Sequence, residues 1–406
     1  MTDEEGLTLE YIQKEEKWTS PNYTPIRVVL SKGEGVYVWD VEGKRYLDCL
    51  SAYSAVNQGH QHPKIVAAAK DQLGKLTLTS RAFFNDQLGE FMKTLCEYSG
   101  YEMACPMNTG AEAVETAIKV ARRWGYWHKK VEKDKAEIIV CENNFHGRTT
   151  TIVGFSSDPN TYGDFGPATP GFVNVPFGDV EALKKAITPN TVAFLVEPIQ
   201  GEAGVIVPPE SYLKDVAEVC KANNVLLIAD EIQTGFARTG RDFCFQHSGI
   251  KPDLVCVGKA LGGGIMPISG VLGSKDLMGV LTSGSHGSTF GGNPLASRVA
   301  VAAINVLRNE KLSERSAELG AYFKEKLESL PKDKIKEVRG KGLLLAIEFT
   351  EKAGKAKPYV YAMKERGILA KQTHETTIRF APPLIITKEQ IDEAFTIIKD
   401  AIENTN

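Results

Sequence analysis

From about residue 58 to residue 292, short apolar runs alternate with stretches whose apolar residues recur at helical spacing. No other feature constrains the fold as strongly. The apolar runs cover residues 137–141, 192–196, 225–229, 254–257 and 269–272. Several are apolar at every position, which is how a strand reads when helices cover both faces of its sheet. A helix is expected over 111–124, where Val114, Ala117, Ile118 and Ala121 share one face. Glu112 and Glu115 near its start and Arg122 and Arg123 near its end suit the helix dipole. A second helix is expected over 211–223. The pattern predicts an α/β fold whose large domain holds a mainly parallel sheet covered by helices.

The flanks read differently. Up to about Asn57 the chain looks like a hairpin-rich arm: Gly35 to Asp40 alternates, Glu42-Gly43 turns, and Lys44 to Asp48 returns. A helix over 294–309 leads out of the large domain into a smaller α+β domain, with strands expected at 342–349 and 377–380. The expected division is therefore 1–57, 58–293 and 294–406. A hydrophobic content of 42% over 406 residues suffices for cores of this size.

Charge and composition exclude several classes. The net charge of −3 forces no basic face, so nucleic acid and anionic membrane are not expected partners. No apolar run approaches the roughly 18 residues of a membrane span. The acidic start, Met1-Thr2-Asp3-Glu4-Glu5-Gly6, is neither a secretory signal nor an Arg-rich transit peptide. The seven cysteines are scattered and form no C-x-x-C pair, which predicts reduced thiols and a cytoplasmic location. His60 and His62 have no third ligand nearby, so no metal site is expected. No G-x-G-x-x-G follows a strand, which removes support for a Rossmann dinucleotide site.

Two strand ends carry the chemistry. The run 225–229 leads straight into Asp230, and 254–257 leads through Gly258 into Lys259. Ligands of open α/β sheets lie outside the carboxyl ends of the strands, so this acid and this amine can face one ligand. Two unrelated surface charges would read the same way, but Lys259 is followed by Ala260-Leu261-Gly262-Gly263-Gly264, a backbone open to close approach. Confinement lowers the pKa of a lysine and suits it to Schiff-base chemistry. An acid is the expected partner of a pyridoxal-phosphate (PLP) ring nitrogen. Asn108-Thr109-Gly110-Ala111 opens the first helix and offers an anion seat, or simply an ordinary cap. Ser288 and Thr289, in Ser288-Thr289-Phe290-Gly291-Gly292-Asn293, add hydroxyls, although such clusters also mark loops. Phe145 can stack on a planar ring and Arg148 can bind a carboxylate, or they are a core aromatic and a surface cation.

In order along the chain stand Gly59-His60-x-His62-Pro63, Asn108-Thr109-Gly110, Phe145-His146-Gly147-Arg148, Glu197-Pro198, Asp230-Glu231-Ile232-Gln233-Thr234-Gly235, Gly258-Lys259 and Ser288 to Pro294. With these motifs the chain resembles the class III, fold type I, PLP-dependent aminotransferases from about Asn22 to its last helix. The resemblance implies that Lys259 holds PLP covalently, Asp230 keeps the pyridine nitrogen protonated, Gln233 bonds near the ring hydroxyl, and Phe145 stacks on the ring. It implies phosphate contacts from Gly110 and Ala111, and from Thr289 to the cofactor of a neighbouring subunit, hence at least a homodimer.

Within the class, Tyr23, Tyr53, Arg148, Glu202 and Arg379 resemble the substrate residues of the ornithine-using branch. There Tyr23 and Arg148 would bind the α-carboxylate, Tyr53 would shape that pocket, and Glu202 would pair with Arg379. The implied reaction joins L-ornithine and 2-oxoglutarate. The alternatives are an acetylornithine or 4-aminobutyrate aminotransferase, against which Tyr23 and Tyr53 argue, and a non-catalytic binding module, against which intact Lys259 and Asp230 argue.

Overall fold

The computed structural model describes residues 6–405; the acidic residues 1–5 lie outside them. The N-terminal strands β1 (Leu30–Glu34), β2 (Tyr37–Asp40) and β3 (Arg45–Asp48) form two antiparallel hairpins. The second turn closes on Asp40, whose Oδ1 accepts from the backbone N–H of Glu42 and Lys44 at 3.0 and 2.8 Å. The arm also holds a helix, Leu7–Trp18, which the hairpin reading did not anticipate. It buries no residue completely, so no core packing writes a strong helical pattern into its sequence.

The central sheet has seven strands: β4 (Met103–Met107), β5 (Glu137–Cys141), β6 (Phe172–Val175), β7 (Thr191–Val196), β8 (Leu226–Asp230), β9 (Leu254–Val257) and β10 (Ser269–Gly273). Their order is β4-β10-β9-β8-β7-β5-β6. The run from β9 to β6 is parallel, whereas β10 is antiparallel to both its neighbours. The expected strands are all present, within two residues at each end. The two not expected, β4 and β6, are the edges. An edge strand needs only one hydrogen-bonded side, which is why β4 tolerates Pro106 and why neither edge reads as a buried run.

Side chains alternate across the sheet. Ile138 and Val140 pack with Val114, Ala117, Ile118 and Ala121 of the helix Gly110–Trp124. Ile139 and Cys141 point to the other face and pack with Val216 and Cys220 of the helix Tyr212–Ala222. Each such buried aliphatic contributes about 1.5–3 kcal/mol, so two covered faces stabilise the sheet well beyond what one could.

Beyond the helix Pro294–Asn309 come a helix Leu312–Glu328 and strands β11 (Ile335–Lys341), β12 (Leu344–Phe349), β13 (Ile368–Leu369), β14 (Lys371–Gln372) and β15 (Thr377–Phe380). An antiparallel sheet runs β11-β12-β15-β14. Strand β13 instead pairs parallel with β3, and the N–H of Leu47 and Cys49 donate to Gly367 O and Leu369 O at 2.9 and 2.8 Å. The arm and the C-terminal region therefore share a sheet. They also share one apolar cluster, in which Leu47 and Ile65 meet Phe323, Ile347, Phe380 and Ile398.

Candidate active site

The carboxyl ends of β8 and β9, the start of the helix Gly110–Trp124 and the loop carrying Glu202 converge on one cavity of about 200 Å³, and strand β15 lies behind it, with Arg379 paired to Glu202. Lys259 follows β9 after Gly258 and opens a short 3-10 turn with a left-handed backbone (φ 45°), and it lines the cavity. Burial pushes its amine down to about 8; the Glu202 carboxylate opposes this and the Arg379 guanidinium adds to it. Asp230 ends β8 and is 5% exposed. Its Oδ1 accepts from the N–H of Ile232 at 3.0 Å, and its Oδ2 lies 2.7 Å from His146 Nδ1.

Behind Asp230 lies a buried acid–base layer. His146 is fully enclosed, and although burial disfavours its charge, the bond to Asp230 and the nearby carboxylates raise its pKa. Its Nε2 has no partner among the described residues. Burial pushes Glu197 up to about 8 against the pull of His146, and Asp230 pushes the same way. Glu197 Oε2 accepts the N–H of Phe145 at 3.0 Å, fixing the aromatic wall of the cavity.

At the opposite side stands an ion pair. Arg379, on β15 and 1% exposed, donates from Nη1 to Glu202 Oε1 at 2.8 Å. Gln233 Nε2 donates to the same oxygen at 3.1 Å. Glu202 is drawn down to about 2: burial opposes its charge, but Arg379, Lys259 and Gln233 more than offset that. Gly201 permits this packing, since a Cβ there would sit 1.5 Å from Gln233 Oε1. The Tyr53 ring lies beside Arg379, 5.1 Å from ring centroid to Cζ.

Gly110 and Ala111 line the cavity at the helix N-terminus, and their N–H groups have no acceptor among the described residues. Thr109 lies just outside, lining an adjoining cavity of about 400 Å³. Its hydroxyl accepts from Glu112 N–H while Glu112 accepts from Thr109 N–H, a reciprocal cap. Asn108 Nδ2 donates to Ser288 Oγ at 2.7 Å, tying the loop that carries Thr289 to this helix start. Thr289, Arg148 and Tyr23 are exposed and do not line the cavity; Arg148 sits 5.5 Å over the Phe145 ring. The structure thus brings together Lys259, Asp230, Gly110, Ala111, Phe145, Gln233, Glu202, Arg379 and Tyr53, and leaves the other predicted residues around the rim or outside. Sequence reasoning assigned nothing to His146 and Glu197, although both stood inside quoted motifs. A buried-polar signal from neighbouring apolar strands would have been needed to find them.

A model of the family described as aminotransferase class-III matches residues 18–402. The chain is 59% identical to an ornithine aminotransferase from Brevibacillus brevis over 97% of its own length and 98% of that protein's. A structure of the ornithine aminotransferase from Toxoplasma gondii, with partial occupancy of PLP at its active site, superposes with a TM-score of 0.96 at 46% identity, covering 98% of this chain and 95% of that one. An acetylornithine aminotransferase from Elizabethkingia anophelis superposes with a TM-score of 0.89 at 49% identity, covering 98% of this chain and all (100%) of the other. A cavity that pairs a confined lysine with a buried carboxylate, set in a chain matched over nearly its whole length, leads to one conclusion: the chain belongs to the aminotransferase class-III family.

Proposed function

We propose that the protein transfers the δ-amino group of L-ornithine to 2-oxoglutarate, giving glutamate 5-semialdehyde and glutamate, with PLP as cofactor. The site residues fit PLP: a buried carboxylate for a pyridinium, a confined amine, an aromatic wall, and two free N–H groups at a helix start where Gly110 leaves room for phosphate. Lys259, Asp230, Phe145, Gln233, Gly110 and Ala111 would hold it, with Thr109, Ser288 and Thr289 nearby. When bound, PLP supplies an aldehyde that condenses with amines and a ring that draws electrons from the substrate carbon.

The protein's own groups do the rest. Lys259 Nζ, with its pKa near 8, has a neutral fraction at physiological pH and can move a proton from the carbon that bears the departing amine. Asp230 presents a carboxylate whose second oxygen is pinned by His146, so it cannot turn away. Phe145 and Ile232 wall the cavity against water.

The observation that carries the choice of substrate is the Glu202–Arg379 pair at 2.8 Å. An exposed Arg379 would take ornithine by its α-carboxylate and present the wrong amine. Covered by Glu202, it leaves the terminal amine to react; uncovered, it receives the α-carboxylate of 2-oxoglutarate. Tyr53, Tyr23 and Arg148 would then serve the distant carboxylate of ornithine. The test is to supply L-ornithine and 2-oxoglutarate and look for pyrroline-5-carboxylate, into which the semialdehyde cyclises. Faster turnover of acetylornithine or 4-aminobutyrate would overturn the reading.

The product would connect arginine and proline metabolism. No described helix is long and apolar enough to cross a membrane, and we read the protein as cytoplasmic. We also read it as at least a homodimer. Phe83 and Phe84 stand 72% and 103% exposed in a segment that Asn85 ties to the loop of Thr289, where Phe290 is 54% exposed, and exposed aromatics of this kind suit cover by a second copy.

A further inference from the structure

We infer that Lys371 is a positioning residue for the substrate carboxylate: by occupying the Tyr53 phenol oxygen as an acceptor, it turns the hydroxyl proton toward the substrate. The inference rests on the ornithine reading above and names what prepares its distal carboxylate site.

Tyr53 lies in the turn Ser51–Ser54, where four consecutive residues have left-handed φ of 51°, 46°, 61° and 72°. L-residues visit this region singly, not in runs, so neighbours must enforce it. Asp48 Oδ1 accepts the N–H of Leu50 and Ser51 at 2.8 and 2.9 Å, and Ser51 Oγ donates to Ala381 O at 2.6 Å. The turn delivers the Tyr53 ring between two cations, 5.0 Å from Lys371 Nζ and 5.1 Å from Arg379 Cζ.

Those cations are directly opposed in the β14–β15 ladder. Like charges at such positions repel, and only Arg379 has a carboxylate, Glu202; Lys371 has none among the described residues. Lys371 Nζ donates to the Tyr53 hydroxyl. An ammonium has three donors and no acceptor, so the phenol oxygen must accept. Its own proton then points elsewhere, and no described residue accepts it. The result is a free hydroxyl donor beside an ammonium that has no counter-charge among the described residues, and a ligand carboxylate satisfies both.

Putrescine is ornithine without its carboxylate, so the two amines isolate the effect. In the PLP-loaded enzyme, Lys371→Met should lower the ornithine-to-putrescine ratio of kcat/KM about tenfold, the size of one lost hydrogen bond to a charged group, mostly through the KM for ornithine. Tyr53→Phe should lower the same ratio. The double variant should fall no further than Tyr53→Phe alone, because Lys371 acts only through the Tyr53 hydroxyl. Lys371→Arg should restore most of the ratio. An unchanged ratio in Lys371→Met, or additive losses in the double variant, would overturn the role of Lys371. A wild-type enzyme with no preference for ornithine over putrescine would overturn the ornithine reading and this inference with it.

Discussion

Lys259 combines two requirements that oppose each other in water. It must be unprotonated to attack an aldehyde, and it must sit among charges that orient its ligand. Burial resolves the conflict by bringing the amine to about 8. As pH falls below that value the fraction of Nζ with a free lone pair shrinks; above it most of the amine is free. The rate at which PLP-free protein takes up PLP covalently should therefore rise with pH and level off above about 8, as stopped-flow absorbance can follow. Lys259→Ala should lose both the covalent link and turnover. Glu202 shows the reverse displacement. Held near 2, it keeps its charge throughout the neutral range, and any stability it lends is present above its unfolded value of 4.5 and lost as pH falls toward 2. The masking of Arg379 is thus not a pH switch; a competing carboxylate must displace it. Glu202→Ala should speed the glutamate half-reaction relative to that of ornithine. A masking energy of only about 1.4 kcal/mol would change the ratio tenfold, measurable from single-turnover cofactor spectra. The candidates Lys259 and Asp230 were legible because motif and strand end coincide in the sequence, whereas Glu202 was reached only through the family resemblance. His146 and Lys371 act only through another side chain, which linear order does not display.

At the scale of elements, the central strands were legible because both faces are buried and nearly every residue is apolar, as in β7 to β9, where only Thr191 and Asp230, at strand ends, are polar. The edges β4 and β6 lack that signature. The left-handed turn Ser51–Ser54 was not legible at all, since its residues carry no glycine and its geometry comes from Asp48 and Ala381. Close approach between elements is equally hidden. The helix Leu312–Glu328 touches the loop before β12 through Gly320, where a Cβ would lie 2.1 Å from Gly342 O. That contact is backbone against backbone, so no rotamer can relieve it. Gly320→Ala should lower stability by about 1–3 kcal/mol or more. Denaturant titration of the variant should show an earlier midpoint with an unchanged slope.

At the scale of the molecule, the exposed aromatics make a prediction of their own. Phe84 is fully exposed beside Phe83, and Asn85 Nδ2 donates to Gly292 O at 3.3 Å, next to the loop of Thr289. Phe84→Asp should shift the protein toward monomer in sedimentation experiments and weaken PLP retention at the same time. Loss of dimer with full PLP retention would separate the two. The α/β alternation announced the central sheet, but nothing in it announced that β3 would take β13 as a neighbour, because a pair so far apart leaves no local pattern. That pairing also has a meaning in time. Ser51 bonds to Ala381, 330 residues further on. At 5–20 residues per second, a ribosome needs roughly 15 seconds to a minute to cover that span. Throughout that interval the first hairpins are outside the tunnel with an unpaired edge, and the turn that aims Tyr53 has nothing to brace it. The wall that Tyr53, Lys371 and Arg379 give the pocket is therefore among the last parts of a newborn chain to form, and a message cut short by forty codons would yield a protein with its whole central sheet but without that wall.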